Sequence, residues 1–236
     1  MIKAVFFDWF NTLARYNPPR EVLQSQALKE FGYDISPEVI FPAILLADTD
    51  FFEEQAVSPV TKRSREEQSQ IYTRYQQTVL NEVGISTDDS PGLAFKVVMK
   101  AQELYKDIGF ALFDDVLPEL KTLRKLDLKM GLLTNMETDM NQVCENLGLG
   151  AYLDFIVTSV EAGADKPDPR IFALALERTG VKAEESLHVG DQPVIDAQGA
   201  KNAGINPVLI DRFNQYPDVT DYPRISSLVD LGELIR

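Results

Sequence analysis

From Leu117 onward the chain alternates stretches of helical periodicity with short apolar runs, and this alternation limits the fold more than any other feature. It is the pattern of a parallel sheet covered on both faces by helices. Leu117, Leu120, Leu123 and Leu126 recur at helical spacing and lead into "LKMGLLTN", a strand that ends at Thr134 and Asn135. "ETDMNQVCENLG" predicts a helix closed by Gly148, "FIVTS" a strand, and "DPRIFALALERTG" a helix with a proline near its start and Gly180 just past its end. "SLHVGD" is the next strand, "VIDAQGAKNAG" a helix stopped by Gly204, and "NPVLID" a last strand before a closing helix within "SSLVDLGELI". With the opening run "AVFFDWFNTL", residues 4–13, the expectation is a doubly wound, Rossmann-like α/β fold with a five-stranded parallel sheet.

Residues from about Pro18 to Phe113 read differently. Amphipathic stretches such as "EVLQSQALKEFG" and "EEQSQIYTRYQQTVLNEVG" predict helices, no strand is expected between them, and "DISPEV", "AVSPVTK" and "STDDSPG" read as connections. The predicted organisation is a discontinuous core over 1–16 and 114–236 with a helical cap over 17–113, inserted after the first strand. A length of 236 residues suits one large unit plus a smaller one.

A formal net charge of −14 argues against nucleic-acid and anionic-membrane partners, which require a basic face. A small anionic substrate would therefore have to meet positive charge supplied locally by its site. The single cysteine, Cys144, falls in an amphipathic helix, which rules out a disulfide framework and fits a small core residue in a reducing cytoplasm. Asp8 interrupts the first apolar run, so the amino terminus does not read as a signal peptide, and no stretch approaches the roughly 20 apolar residues of a membrane span. Oligomeric state is left at monomer or homodimer.

Open α/β sheets bind ligands beyond the carboxyl ends of their strands. The strand assignment places Asp8 after the first strand, Thr134 and Asn135 after the second, Lys166 in the loop after the third, and Gly190 and Asp191 after the fourth, with Asp196 close behind. Each alone has a plainer reading: Asp8 as a cap, Thr134 and Asn135 as turn residues, Lys166 as a solvated loop lysine. The sole histidine, His188, is expected to pack within its strand, pointing away from the site. Together the positions gather three carboxylates, one lysine and several small polar donors at one edge.

"FFDWFNTLA", "LLTNM", "DKPDPRIF" and "HVGDQPVIDAQGAKNAG" resemble the four ordered motifs of the haloacid dehalogenase-like hydrolase superfamily, in its type with a helical cap after the first strand. The resemblance implies Asp8 as a nucleophile that forms a covalent intermediate. It implies Lys166 as its charge partner, and Asn11 and Thr12 with Thr134 and Asn135 around a substrate phosphoryl group. It further implies Mg2+ held by Asp8, the backbone carbonyl of Phe10, Asp191 and Asp196, a use of oxygen ligands that suits magnesium. Closure of the cap would exclude water and select the substrate.

The resemblance breaks at Phe10, where phosphatases of the superfamily carry a second Asp as general acid and base. Such a group typically contributes about 10²–10⁴ in rate. Three hydrolytic readings stay open. One is a phosphatase-like enzyme whose leaving group needs no proton, or one that draws its acid from the cap stretch "ADTDFFEE". Another is a 2-haloacid dehalogenase. The third is a phosphonoacetaldehyde hydrolase, which would need a Schiff-base lysine from Lys62, Lys96, Lys100 or Lys106. A fourth reading is a non-catalytic module that binds a phosphorylated ligand. Arg15, Tyr16 and Arg20 are within reach of a substrate anion, with solvated surface as their plainer reading.

Overall fold

Strand β1, Ala4–Phe7, is buried at every residue, a pattern that places a strand inside a parallel sheet covered on both faces. In the computed structural model, which describes residues 1–235, two short strands, β2 (Ala14–Asn17) and β3 (Gly109–Leu112), form a separate two-stranded sheet. The main sheet places β1 between β4 (Lys129–Thr134) and β6 (Ser186–Gly190), both parallel to it. Beyond β4 lies β5 (Phe155–Thr158), and beyond β6 lie β7 (Asn206–Ile210) and β8 (Arg224–Ile225). The order is β5-β4-β1-β6-β7-β8, all parallel.

The α/β class holds, but the expected five strands become six. Strand β8 is two residues long, too short to leave any alternation in the sequence. Strand β3 likewise overturns the strandless reading of residues 18–113: its four residues lie within the apolar run "IGFALF", but the run is too short and follows a helical stretch too closely to stand out as a strand.

Packing explains the helices on the sheet. The helix Pro169–Thr179 starts with Asp168 accepting the Arg170 N–H and stops where Gly180 takes a φ of 64°. Its Ile171, Phe172 and Ala175 join Phe6, Leu133 and Val157 in one buried cluster. On β4, Gly131 leaves room for the Phe155 ring, which a Cβ there would overlap, and that ring meets Phe6 edge-on at 6.0 Å. Each fully buried side chain of this size stabilises the fold by about 1.5–3 kcal/mol.

The chain divides into two compact units, Met1–Arg15 with Ala111 onward, and Tyr16–Phe110. The second unit carries the helices Arg20–Glu30, Pro37–Val57, Arg65–Glu82 and Leu93–Leu104 around a core that includes Leu28, Ile40, Ile44, Leu80 and Val97. The helix from Pro37 begins inside "DISPEV", which reads as a connection because proline marks loops as readily as first helical turns. Asp48, from "ADTDFFEE", is buried and takes two hydrogen bonds from Arg20 at 2.9 and 2.5 Å and one from the Tyr75 hydroxyl at 2.9 Å. Arg20 is therefore neither a solvated residue nor a spare anion ligand. Among the described residues, no helix is long and apolar enough to cross a membrane.

Candidate active site

Because the six strands run the same way, their carboxyl ends share one edge. The chain order reverses beside β1: after β4 and β5 on one side, the chain returns to lay down β6, β7 and β8 on the other. Such a switch point is where doubly wound sheets gather ligands. Asp8 is the first residue past β1, its N–H held by the Val189 carbonyl at 2.9 Å. The chain then turns back at once. Leu13 and Ala14 both donate to the Trp9 carbonyl, at 2.9 and 3.0 Å, and Asn11 adopts a φ of 58° while donating to the Ala14 carbonyl at 2.7 Å. Asparagine is among the few residues that take this left-handed conformation readily. Thr12 is fully buried, and its hydroxyl has no hydrogen-bond partner among the described residues.

Lys166 arrives from the loop after β5, and Asn135 sets its place. The Asn135 side chain donates to the Lys166 carbonyl at 3.0 Å and accepts the Lys166 N–H at 2.7 Å, so both of its polar atoms act on the lysine backbone. Thr134 is buried beside it, its hydroxyl accepting the Met136 N–H at 3.1 Å. The lysine side chain is 1% exposed and its ammonium bridges two carboxylates, Asp8 Oδ1 at 2.5 Å and Asp196 Oδ1 at 2.7 Å. The solvated reading of Lys166 is thereby excluded.

Asp196 reaches this position through a wide π-helical turn, Pro193–Gln198, where the sequence predicts an ordinary helix. The Asp196 and Ala197 N–H groups both bond the Gln192 carbonyl, at 3.0 and 3.1 Å, and the turn folds the carboxylate against β6. Gly190 permits the approach, since a Cβ there would overlap the Asp196 carboxylate. Asp196 then accepts from Lys166, from the Gln192 N–H at 3.1 Å and from His188 Nε2 at 3.0 Å. His188 thus belongs to the site network, although strand alternation alone turns it away. The ring lies edge-on to Phe172 at 5.2 Å, and the hydrogen bond to Asp196 is what the strand pattern could not express. Burial pulls its pKa below the ordinary value, so the neutral ring donates through Nε2.

Asp191, half-buried just past β6, accepts from the Gln192 side-chain amide at 2.7 Å. One carboxylate oxygen from each of Asp8, Asp191 and Asp196 falls within 4.8 Å of the others. Burial, with Asp196 adding and Lys166 opposing, pushes Asp8 up to about 6. Burial together with Asp8 and Asp196 pushes Asp191 well above the carboxylate range. Burial would raise Asp196 too, but Lys166 and His188 outweigh it and hold it low. Burial alone would lower Lys166, yet Asp196 and Asp8 keep it firmly protonated.

At such separations each like-charged pair repels by roughly 3–4 kcal/mol at an effective dielectric near 20. One ammonium leaves three carboxylates under-compensated. The set is all oxygen and strained by its own charge, and it fits a hard divalent cation such as Mg2+, which binds through one or two carboxylates and keeps several waters. Asp8 and Asp191 suit it best, because the Asp196 oxygens already accept three hydrogen bonds.

Two further groups escaped the sequence reading. The Arg212 guanidinium donates to the Thr12 carbonyl at 3.1 and 2.8 Å while pairing with Asp115, and nothing in its local sequence signals that reach across 200 positions. Gln192 adjoins Asp191, which was its only sequence signal. Among the lysines considered for a Schiff base, Lys100 pairs with Glu30 at 2.8 Å and Glu103 at 3.2 Å, and both raise its pKa, the wrong direction for a nucleophilic amine.

The family model for haloacid dehalogenase-like hydrolases matches residues 2–204. The glyceraldehyde 3-phosphate phosphatase of Methanopyrus kandleri is 32% identical over 93% of this chain and 88% of its own. The 2-haloacid dehalogenase of Pseudomonas syringae superposes with a TM-score of 0.58 at 26% identity, covering 100% of this chain and 98% of its own. A magnesium-bound HAD-hydrolase from Bacillus subtilis, YfnB, superposes with a TM-score of 0.69 at 19% identity, covering 100% and 99%. With four motifs meeting at one switch point and a family match over most of its length, the chain belongs to the haloacid dehalogenase-like hydrolases.

Proposed function

We propose that the chain is a magnesium-dependent phosphatase-type hydrolase that uses Asp8 as its nucleophile on a small phosphorylated metabolite. The observation that carries this reading is the buried Asp8–Lys166–Asp196 chain with Asp191 beside it. A pure binding module has no need to bury a nucleophile against an ammonium. The phosphatase among the relatives supports the substrate class.

An Asp8 oxygen attacks phosphorus, the bond from phosphorus to the leaving oxygen breaks, and an aspartyl phosphate remains. Water then attacks that phosphorus, releasing inorganic phosphate and restoring the carboxylate. With its pKa near 6, Asp8 is ionised above neutrality and ready to attack. The Lys166 ammonium fixes the carboxylate and faces the incoming anion. The Thr12 amide in the Asn11–Thr12 turn, which the Asn11 N–H bond to Ala14 holds in shape, and the Thr134 hydroxyl act as donors to the phosphoryl oxygens, and Asn135 acts by holding Lys166. Bound Mg2+, held by Asp8, Asp191 and the Phe10 carbonyl, would supply the remaining positive charge, with Asp196 as an acceptor that orients Lys166. The helical insertion is the substrate-selecting cap in this reading.

Phe10 offers no proton to a leaving alcohol. The preferred substrates are therefore phosphates whose leaving group departs as a stable anion, such as acyl phosphates. A second reading, displacement of halide at carbon, is favoured by the same Phe10, since a halide needs no proton. It leaves Asp191 beside the nucleophile without a task.

The discriminating experiment offers acetyl phosphate, an aryl phosphate, sugar phosphates and 2-chloropropionate to the protein with Mg2+ or with a chelator. The expected outcome is phosphate release from the acyl and aryl phosphates with Mg2+ only, lost in Asp8→Asn. Chloride release that ignores the chelator would replace this reading with the second.

A further inference from the structure

Gln192 and Tyr216 form a hydrogen-bonded chain that ends on Asp191 and has no part in the chemistry above. The Gln192 side chain is buried and spans two groups: its Nε2 donates to Asp191 Oδ2 at 2.7 Å, and its Oε1 accepts from the Tyr216 hydroxyl at 3.0 Å. Its own N–H is engaged by Asp196 at 3.1 Å, so its backbone is fixed by the same cluster. Asp191 in the ionised form that would hold a cation only accepts, so the amide presents its NH2 group to it while the tyrosine proton goes to Oε1.

Tyr216 is held in turn. It ends the segment that follows β7, and buried Asp211 folds that segment by accepting the Gln215 N–H at 2.7 Å and the Tyr216 N–H at 2.9 Å, with Arg224 on the same carboxylate at 2.9 Å. The hydroxyl is therefore aimed by a braced backbone.

We propose that Gln192 and Tyr216 are positioning residues that hold the Asp191 carboxylate in one orientation for the divalent cation. The inference rests on the magnesium reading and assigns the origin of the site's affinity. A carboxylate that must bind a metal loses affinity when it is free to rotate, and removing the groups that orient a ligand typically costs about 10–100-fold in metal binding. Tyr216 reaches Asp191 through Gln192 in this chain of bonds, and its effect is expected to vanish once the amide is gone.

The test is a double-mutant cycle on the full chain, with Mg2+ binding measured by calorimetry and Mn2+ binding by electron paramagnetic resonance. Tyr216→Phe and Gln192→Leu are each expected to weaken binding about tenfold, and the double variant to bind no more weakly than Gln192→Leu alone. Turnover of Tyr216→Phe should return to the parental value at saturating Mg2+, and its metal-free unfolding temperature should match the parent. Gln192→Asn, the same amide one methylene short, should lose the same affinity and serves where the leucine variant does not fold. Unchanged affinity in Tyr216→Phe, or additive losses in the double variant, overturns the inference and leaves the magnesium reading standing. A parent protein that takes up neither ion overturns both.

Discussion

Phe10 and Asp8 lie two positions apart and have opposite chemical capacities: one can attack, the other can neither give nor take a proton. Phe10→Asp should therefore raise turnover of alkyl phosphates, by about 10²-fold on the scale of a positioned general acid. Steady-state kinetics on a sugar phosphate measures it, and a variant no faster than the parent would mean that proton supply does not limit this site. Asp8→Asn should abolish turnover while shifting the unfolding temperature little, because Lys166 keeps Asp196 as a partner at 2.7 Å. Calorimetric scans alongside the activity assay separate the two effects. At this scale the sequence is legible wherever a chemical group ends a strand, as Thr134 does, or follows it directly, as Asp8 and Asp191 do. The side chain of Asn135 was placed correctly at the strand end, but its commitment to the Lys166 backbone depends on a loop that closes 31 positions away. His188 packs within the sheet as expected, but its bond to Asp196 is invisible in the sequence, because alternation tells which face a side chain leaves from and not which later residue folds back to meet it.

Among the elements, β4 depends most on a small residue. Gly131→Ala should destabilise the protein by about 1–3 kcal/mol, the usual cost of forcing a methyl group into a filled core, because the new Cβ meets the Phe155 ring. Chemical denaturation measures it, and kinetic constants at a temperature where the variant is folded should not move. The long periodic segments were readable, including the helix Pro169–Thr179 between its proline and its glycine. What escaped was short or locally ambiguous. Strand β8 has two residues and no period, the helix at Pro37 begins on a residue that also signals loops, and the π-helical turn at Pro193–Gln198 follows from the demand to bring Asp196 home rather than from its own sequence.

At the scale of the whole molecule, Asp115 ties distant parts of the sheet-bearing unit together. It accepts from Arg212 at 2.9 and 3.0 Å, from the Ser227 hydroxyl at 2.6 Å and from the Leu228 N–H at 2.8 Å. Burial would raise its pKa, but these donors outweigh it and hold the carboxyl below its ordinary value. A depressed folded pKa stabilises the fold above the unfolded value, about 3.9 for an aspartate, and that contribution fades as the pH falls through the folded value. Asp115→Asn should therefore cost about 2–4 kcal/mol at neutral pH, as expected for a partly buried pair broken on one side. The difference from the parent should shrink below about pH 4. Denaturation midpoints across an acid pH series check both statements.

The position of β1 also bears on the birth of the protein. It is translated before both of its neighbours, which begin at Lys129 and Ser186. The strand that leads to Asp8 therefore lacks both of its sheet partners until the long intervening segments have been translated. Nascent chains of this kind are natural clients for chaperones, and their sheet closes late and slowly, since contacts between remote segments are the last to form.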